Sequence, residues 1–303
     1  MIIYNWYVTI LSKWIEKSTL FLLNYKKFQK TICTGHSACE KIVRKAGKRI
    51  FAICFAAAFK RAVRIKVENM EIYESLLEAV SREYDTIALL KESERGRVSL
   101  VRHRGSGTRY IFRHFSGSGE VYQKLLGVSC RNLPQIMEVG EKNGQTVALE
   151  EYIPGDTLGE ILEGGLLSVA QAKQVTRQLC GALWVLHSRG MVHRDVKPDN
   201  VILRGDEAVL IDFDAARVYK STGQGDTQIL GTTGFAAPEQ YGLSQSDGRA
   251  DIYAVGVLLN IMLTGEHPSR KLAKGRMGRI VQRCTMVNPE KRYKNILHLM
   301  EVL

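Results

Sequence analysis

The sequence lacks a Cys-x-x-Cys pair, an apolar run long enough to cross a bilayer, a secretory cleavage signature and, over its first 69 residues, almost all acid. Its six cysteines, at 33, 39, 54, 130, 180 and 284, are scattered. A reducing cytoplasm is the simplest setting for such usage. Cys180 and Cys284 fall within helical apolar patterns and are expected to be buried thiols. Cys33, His36 and Cys39 offer three metal-ligating side chains, but no second pair lies nearby, so a zinc site is not expected there. Ile50–Phe59 supplies ten apolar residues, whereas a membrane span needs about 20.

The scarcity of acid is local. Residues 1–69 hold fourteen Lys and Arg against three Asp and Glu, a net +11 of the chain's +12, which leaves +1 for the other 234 residues. The basic balance therefore belongs to this segment. It says nothing about the rest of the chain, and no nucleic-acid partner is expected. Ile2, Ile3, Trp6, Tyr7, Ile10, Leu11, Trp14 and Ile15 recur at helical spacing with Lys13 and Lys17 following, and Lys48-Arg49 and Lys60-Arg61 flank the apolar stretch. A basic amphipathic helix lying on an anionic membrane fits this pattern. The alternatives are a helix packed on the following domain, a poorly ordered extension, or a start at Met70, where the composition turns acidic. At 303 residues the chain has room for one two-lobed domain, or a domain plus an extension.

What is present is concentrated in His193-Arg194-Asp195-Val196-Lys197-Pro198-Asp199-Asn200 and in Asp212-Phe213-Asp214, which begins twelve residues after Asn200. Between them Val201–Ile211 reads as two short apolar strands joined by a polar Gly- and Asp-containing turn. Such a hairpin returns the chain and brings Asp195, Asn200 and Asp212 to one place. Hard oxygen groups suit magnesium, and a free carboxylate can accept a hydroxyl proton.

These stretches resemble the catalytic loop and metal-binding motif of protein kinases, H-R-D-x-K-x-x-N followed by D-F-G. Gly231–Glu239, ending in Ala-Pro-Glu, is similar to the end of a kinase activation segment. Asp251–Val257 is similar to the central C-lobe helix, and Arg292 sits where the family has the partner of the Ala-Pro-Glu glutamate. The resemblance implies an α+β, two-lobed fold, with a small β-rich N-lobe over 88–152 and a helical C-lobe over 153–303; the apolar spacing and charge of the preceding residues add a lead-in helix at 70–87 and a helical N-terminal extension over 1–69. The same resemblance implies a bacterial-type serine/threonine kinase with a divergent N-lobe, using ATP and magnesium on protein substrates; the cytoplasmic setting comes from the cysteine usage, and peripheral membrane contact through residues 1–69 stands as one option from their basic amphipathic pattern. The rival is a scaffold module that keeps the fold and transfers little phosphate. A small-molecule phosphotransferase fits less well, because Gly231–Glu239 resembles a peptide-substrate platform.

The resemblance also implies roles. Asp195 accepts the substrate proton, Lys197 steadies the phosphoryl group, Asn200 and Asp212 hold magnesium, and Thr232 lies against Asp195 and Lys197. His193 orients backbone, and His187 is structural. Lys197 points to Ser/Thr substrates. Arg194, before the catalytic Asp, implies a positive pocket for an anion on the activation segment, with Ser221, Thr222, Thr227 and Thr233 as candidate phosphorylation sites. No sensor domain follows the catalytic stretch, so regulation is expected through residues 1–87, the activation loop or a partner.

The nucleotide side departs from the pattern. In Lys91–Val98, where the family has G-x-G-x-x-G-x-V, only Gly96 and Val98 match, and Lys91 and Ser93 replace the first two glycines. Arg113 stands at the position of the ATP-anchoring lysine. A guanidinium is a planar fork, not a compact point charge. Either Arg113 serves with altered geometry, or another base such as Lys91 or Arg102 substitutes, or catalysis is feeble. Glu120, opening a short helix, matches the glutamate that pairs with the strand cation. Backbone groups near Glu151 and Ile153 would meet the adenine edge. Glu150 falls at the gatekeeper position, usually apolar or Thr. Asp214 replaces a glycine that normally permits left-handed backbone.

Two helices are read from periodicity. One spans 71–90 with Ile72, Leu76, Leu77, Val80 and Tyr84 on one face. The other runs from a Ser168/Gln171 capping box to about His187, with Val169, Val175, Leu179, Leu183 and Leu186 buried.

Overall fold

The computed structural model describes residues 69–219, 232, 234–241 and 247–303. The basic, apolar and cysteine-containing stretches of residues 1–68 lie outside the described residues, as do Ser221, Thr222, Thr227 and Thr233.

The first described element is a helix over residues 69–83, here α1. It ends seven residues before the position expected from periodicity. Tyr84–Ser93 instead forms strand β1, whose residues pair with β2 (Gly96–His103) from Tyr84 opposite His103 to Ser93 opposite Gly96. Apolar spacing continues through Ile87, Leu89 and Leu90, but the backbone of this segment is taken by strand pairing, and the three side chains are about half exposed.

β1 and β2 begin an antiparallel five-stranded sheet in the order β1-β2-β3-β5-β4, with β3 Arg109–Ser116, β4 Ile136–Lys142 and β5 Gln145–Glu151. Side chains alternate between its two faces. On one face Val101, Val147 and Leu149, with Tyr110 and Phe112, pack against Tyr73 and Leu76 of α1. The helix approaches so closely that a Cβ on Gly140 of β4 would overlap the backbone of Tyr73. On the other face one cross-strand row runs Lys91, Val98, Arg113, Ala148, Val139. That row faces the site described below.

A six-residue helix, α2 (Glu120–Leu125), follows β3 and buries Val121, Tyr122 and Leu125. Beyond β5 come β6 (Asp156–Thr157), α3 (Leu158–Glu163) and the long α4 (Val169–His187). The predicted capping box forms: the Ser168 hydroxyl accepts from the Gln171 N–H, and the Gln171 side chain accepts from the Ser168 N–H. Val175, Leu179, Leu183 and Leu186 are buried as expected, but Val169 is 54% exposed. Val169 is the first residue of the helix, and the buried stripe starts one turn later at Ala172.

Helices α5 (Gly248–Thr264), α6 (Gly275–Cys284) and α7 (Ile296–Glu301) complete the core around α4. Each fully buried leucine or isoleucine here contributes about 1.5–3 kcal/mol. Cys180 and Cys284 both lie in this core, and burial pushes the Cys180 thiol up to about 12, so it remains an inert thiol. Among the described residues no helix is long and apolar enough to cross a membrane.

Candidate active site

Two-residue strand β7 (Met191–Val192) delivers the chain to His193–Asn200, and the hairpin β8 (Val201–Arg204) and β9 (Glu207–Leu210) carries it to Asp212. Val201 lies opposite Leu210, and the Ile211 N–H donates to the Asn200 carbonyl at 2.9 Å. The predicted return of the chain is therefore present. It brings Asn200 and Asp212 to the open end of one hairpin, with Asp195 bonded to Asn200.

Asp251, wholly buried in α5, fixes the loop. Its carboxylate accepts the N–H groups of His193 (3.0 Å) and Arg194 (2.8 Å), with His187 Nε2 at 2.7 Å. Burial alone would raise the Asp251 carboxyl, but the bond from His187 and the donors around it hold it below the usual carboxylate range. Arg194 takes φ +70°, a left-handed turn that sets Asp195 outward from this anchor. His193 is buried and held neutral, chiefly by desolvation; its Nε2 lies 3.2 Å from the Ile211 carbonyl and its ring stands edge-on to Phe213. Both histidines are thus structural, as expected.

The Asp195 carboxylate is held from several sides. Oδ1 accepts the Thr232 hydroxyl at 2.7 Å and its N–H at 3.2 Å, and Oδ2 accepts Asn200 Nδ2 at 2.9 Å. Lys197 Nζ reaches Thr232 Oγ1 at 2.9 Å and Asp195 Oδ2 at 3.2 Å. Asn200 Nδ2 also donates to the Asp195 carbonyl, which turns the amide oxygen to the other side.

The second half of the site contains more charge than the motifs indicate. Arg113, 5% exposed, donates from Nε to Glu150 Oε1 at 2.6 Å and from Nη1 to Asp212 Oδ1 and Asp214 Oδ1, both at 3.2 Å. Lys91 Nζ reaches Asp214 Oδ2 at 2.8 Å and Asp212 Oδ2 at 3.3 Å. Burial would raise the Asp212 carboxyl, but Arg113 and Lys91 hold it at about 2. Burial pushes the Glu150 carboxyl up against the pull of Arg113, and its Oε2 has no hydrogen-bond partner.

Several expectations on this side are corrected. Glu120 does not pair with Arg113; Glu150 takes that place. Arg113 sits opposite Ala148, and Glu150 is two residues along the same face of β5, a diagonal neighbour within reach of long side chains. Glu120 opens the six-residue α2, where an acid complements the helix dipole. Among the buried α2 side chains, Tyr122 stands edge-on to Phe213 with rings 5.8 Å apart and is tilted against Phe115 at 5.6 Å. The left-handed residue of the Asp-Phe-Asp motif is Asp212, at φ +67°, and Asp214 carries no such constraint.

The expected phosphate loop is a tight hairpin, since β1 and β2 remain paired to Ser93 and Gly96 with only Glu94 and Arg95 between them. A side chain at Gly96 would overlap the His114 carbonyl, so close strand packing accounts for this glycine. Val98 lies between Lys91 and Arg113 in the cross-strand row. At the hinge the Glu151 N–H donates to the Gln135 carbonyl (2.8 Å) and its carboxylate accepts from Arg204 (2.8 Å), while Ile153 is buried. Glu239 and Arg292 form the expected buried pair, bidentate at 2.6 and 2.8 Å.

A catalytic-type aspartate on a left-handed loop, an Asn beside it and an Asp-Phe-Asp turn behind it match one known family. Its family model, described as protein kinase domain, matches residues 118–300, more than half of the sequence. The chain belongs to the protein kinase family. The match begins beyond β3, so Lys91 and Arg113 fall outside it. Serine/threonine-protein kinase D of Synechocystis is 34% identical over 175 residues, covering 54% of this chain and 33% of that kinase. Mycobacterium tuberculosis serine/threonine-protein kinase PknD is 38% identical over 138 residues, 45% of this chain and 21% of its own. Myxococcus xanthus serine/threonine-protein kinase pkn2 is 32% identical over 142 residues, 44% and 17% respectively. The chain thus matches a third or less of the length of each of these relatives.

Proposed function

We propose that this kinase-family chain transfers the γ-phosphoryl group of ATP to serine or threonine hydroxyls of proteins, with magnesium as the metal. The observation that carries this reading is the Asp195 carboxylate, held by Asn200, Thr232 and Lys197 and fixed from below through Asp251. A carboxylate so positioned orients a substrate hydroxyl and accepts its proton. The ammonium of Lys197, next to it, stabilises negative charge on the transferring group.

The residues present suit a hard cation. Asp212 remains ionised at neutral pH, and Asn200 has its nitrogen engaged with Asp195 so that its oxygen is available. Asn200 and Asp212 would hold magnesium, which when bound neutralises charge on the nucleotide phosphates. Lys197 supports hydroxyl substrates of the Ser/Thr class, and the names of the relatives support the same class. We assign the catalytic unit to residues 88–303.

The test is transfer of labelled phosphate from ATP with magnesium by the full chain, alone and with a generic basic protein, beside Asp195→Asn. Loss of a proton acceptor typically lowers rates by about 10²–10⁴-fold. The wild type should label at least a hundredfold faster than the variant, with both proteins melting at the same temperature. Equal labelling would leave only a binding role.

A further inference from the structure

The phosphate side of the site holds two cations, and the fold gives them different properties. Arg113 is buried, with a side chain 6% exposed, and its guanidinium bonds three carboxylates on two separate segments: Glu150 on β5, and Asp212 and Asp214 of the Asp-Phe-Asp turn. Moving it to meet a ligand would leave Glu150 buried without a counter-ion, at the cost such a break carries in a low-dielectric site. Lys91 is placed otherwise. Its side chain is 50% exposed, and both its partners, Asp212 and Asp214, are already bonded to Arg113. The ammonium can leave either one without leaving it unpaired.

The backbone explains how a β1 residue comes to be there. A bulge between Leu89 and Lys91 shifts the register of β1 against β2, so that Lys91 pairs with Val98. A bulge of this kind re-aims the side chains that follow it. Lys91 therefore joins the row Val98, Arg113, Ala148 on the site-facing side of the sheet, one strand beyond Val98. Arg102, the other basic candidate, lies towards the far end of β2 and is exposed against Asp85.

Building on the kinase reading, we propose that Lys91, supplied by β1, is the residue that contacts the phosphates of the nucleotide, and that Arg113 with Glu150 is a fixed buried pair that positions Asp212. The work of one strand lysine is divided between two residues: an accessible, exchangeable ammonium and an immobile fork. Three carboxylates face these two cations, so releasing Lys91 to a phosphate leaves negative charge at Asp212 and Asp214 for a divalent ion to meet.

The test uses the full chain as wild type, Lys91→Met, Lys91→Arg, Arg102→Met and Asp195→Asn. Two quantities are read: the thermal shift caused by ATP with magnesium, and phosphate transfer. Lys91→Met should melt with the wild type in the absence of nucleotide, lose most of the nucleotide-induced shift and transfer about a hundredfold more slowly. Lys91→Arg should recover part of both, and Arg102→Met should match the wild type in both. Lys91→Met equal to the wild type in shift and transfer overturns the assignment of Lys91 and leaves the kinase reading standing. A wild type that binds nucleotide but transfers no faster than Asp195→Asn overturns the transfer reading; Lys91 is then judged by the shift alone. A wild type showing no shift and no transfer overturns both.

Discussion

Asp251 illustrates how much of the site depends on a residue that takes no part in chemistry. Its carboxylate accepts two successive N–H groups of the catalytic loop and is itself wholly buried. Its folded value lies below the ordinary 3.8. A carboxyl depressed on folding stabilises above its unfolded value, and that stability is lost as pH falls through the folded one. Asp251→Asn should therefore melt well below the wild type at neutral pH, and the two melting temperatures should converge as the pH falls below 3.8. A constant gap across that range would show that the charge of Asp251 is not what stabilises the loop. At this scale the sequence was legible wherever a residue's chemistry is dictated by its immediate neighbours. Asp195, Lys197, Asn200 and Asp212 lie within one short hairpin of each other. The partner of Arg113 was not legible, because Glu150 is 37 residues away and becomes a neighbour only through strand register. The left-handed residue was misplaced for a related reason: Asp212 carries the turn through its own bonds to Arg113 and the Asp214 N–H, whereas the motif drew attention to the last position.

Among the elements, the Arg292–Glu239 pair has the widest reach. Arg292 follows the short turn Pro289–Lys291, Glu239 lies in Pro238–Tyr241, and Arg292 also donates to the Arg249 carbonyl in the first turn of α5 and to the Met286 and Val287 carbonyls. With one partner wholly buried and the other nearly so, removing Arg292 leaves a carboxylate without its fork. Arg292→Ala should cost about 3–5 kcal/mol, measured by denaturant unfolding. Arg292→Lys should recover little of it, because one ammonium cannot serve two carboxylate oxygens and several carbonyls at once. The motif spacing anticipated this pair. Periodicity was a poorer guide at α1: the apolar positions run on into Ile87, Leu89 and Leu90, and only the pairing of Tyr84–Ser93 with β2 shows where the helix stops.

For the molecule as a whole, the site lies between a sheet that supplies Lys91 and Arg113 and a helical half that supplies Asp195, Asn200 and Asp212. The sheet is backed by α1 through Tyr73 and Leu76, and the helical half by α4 and α5. A ladder of rings from Phe115 through Tyr122 and Phe213 to His193, at 5.6, 5.8 and 5.7 Å, joins the two halves behind the charges. A ligand that contacts both halves binds only the folded chain. ATP with magnesium at a hundredfold excess over its dissociation constant should therefore stabilise the protein by about 2.7 kcal/mol, seen as a rise in melting temperature that chelation of the metal reduces. A rise unaffected by chelation would detach Asn200 and Asp212 from the nucleotide. The two halves were unequally legible because the helical half keeps its chemistry in contiguous motifs, while the sheet distributes it across strands.

The closed turn at Glu94 and Arg95 has one more consequence. With only these two residues between the paired Ser93 and Gly96, the connection is too short to cover Lys91, whose side chain stays half exposed. A polyanion would then meet Lys91 as the accessible cation of this edge, since Arg97 is already paired with Glu92 at 2.7 Å. Turnover should slow as ionic strength rises and the Debye length shrinks from about 10 Å at 0.1 M.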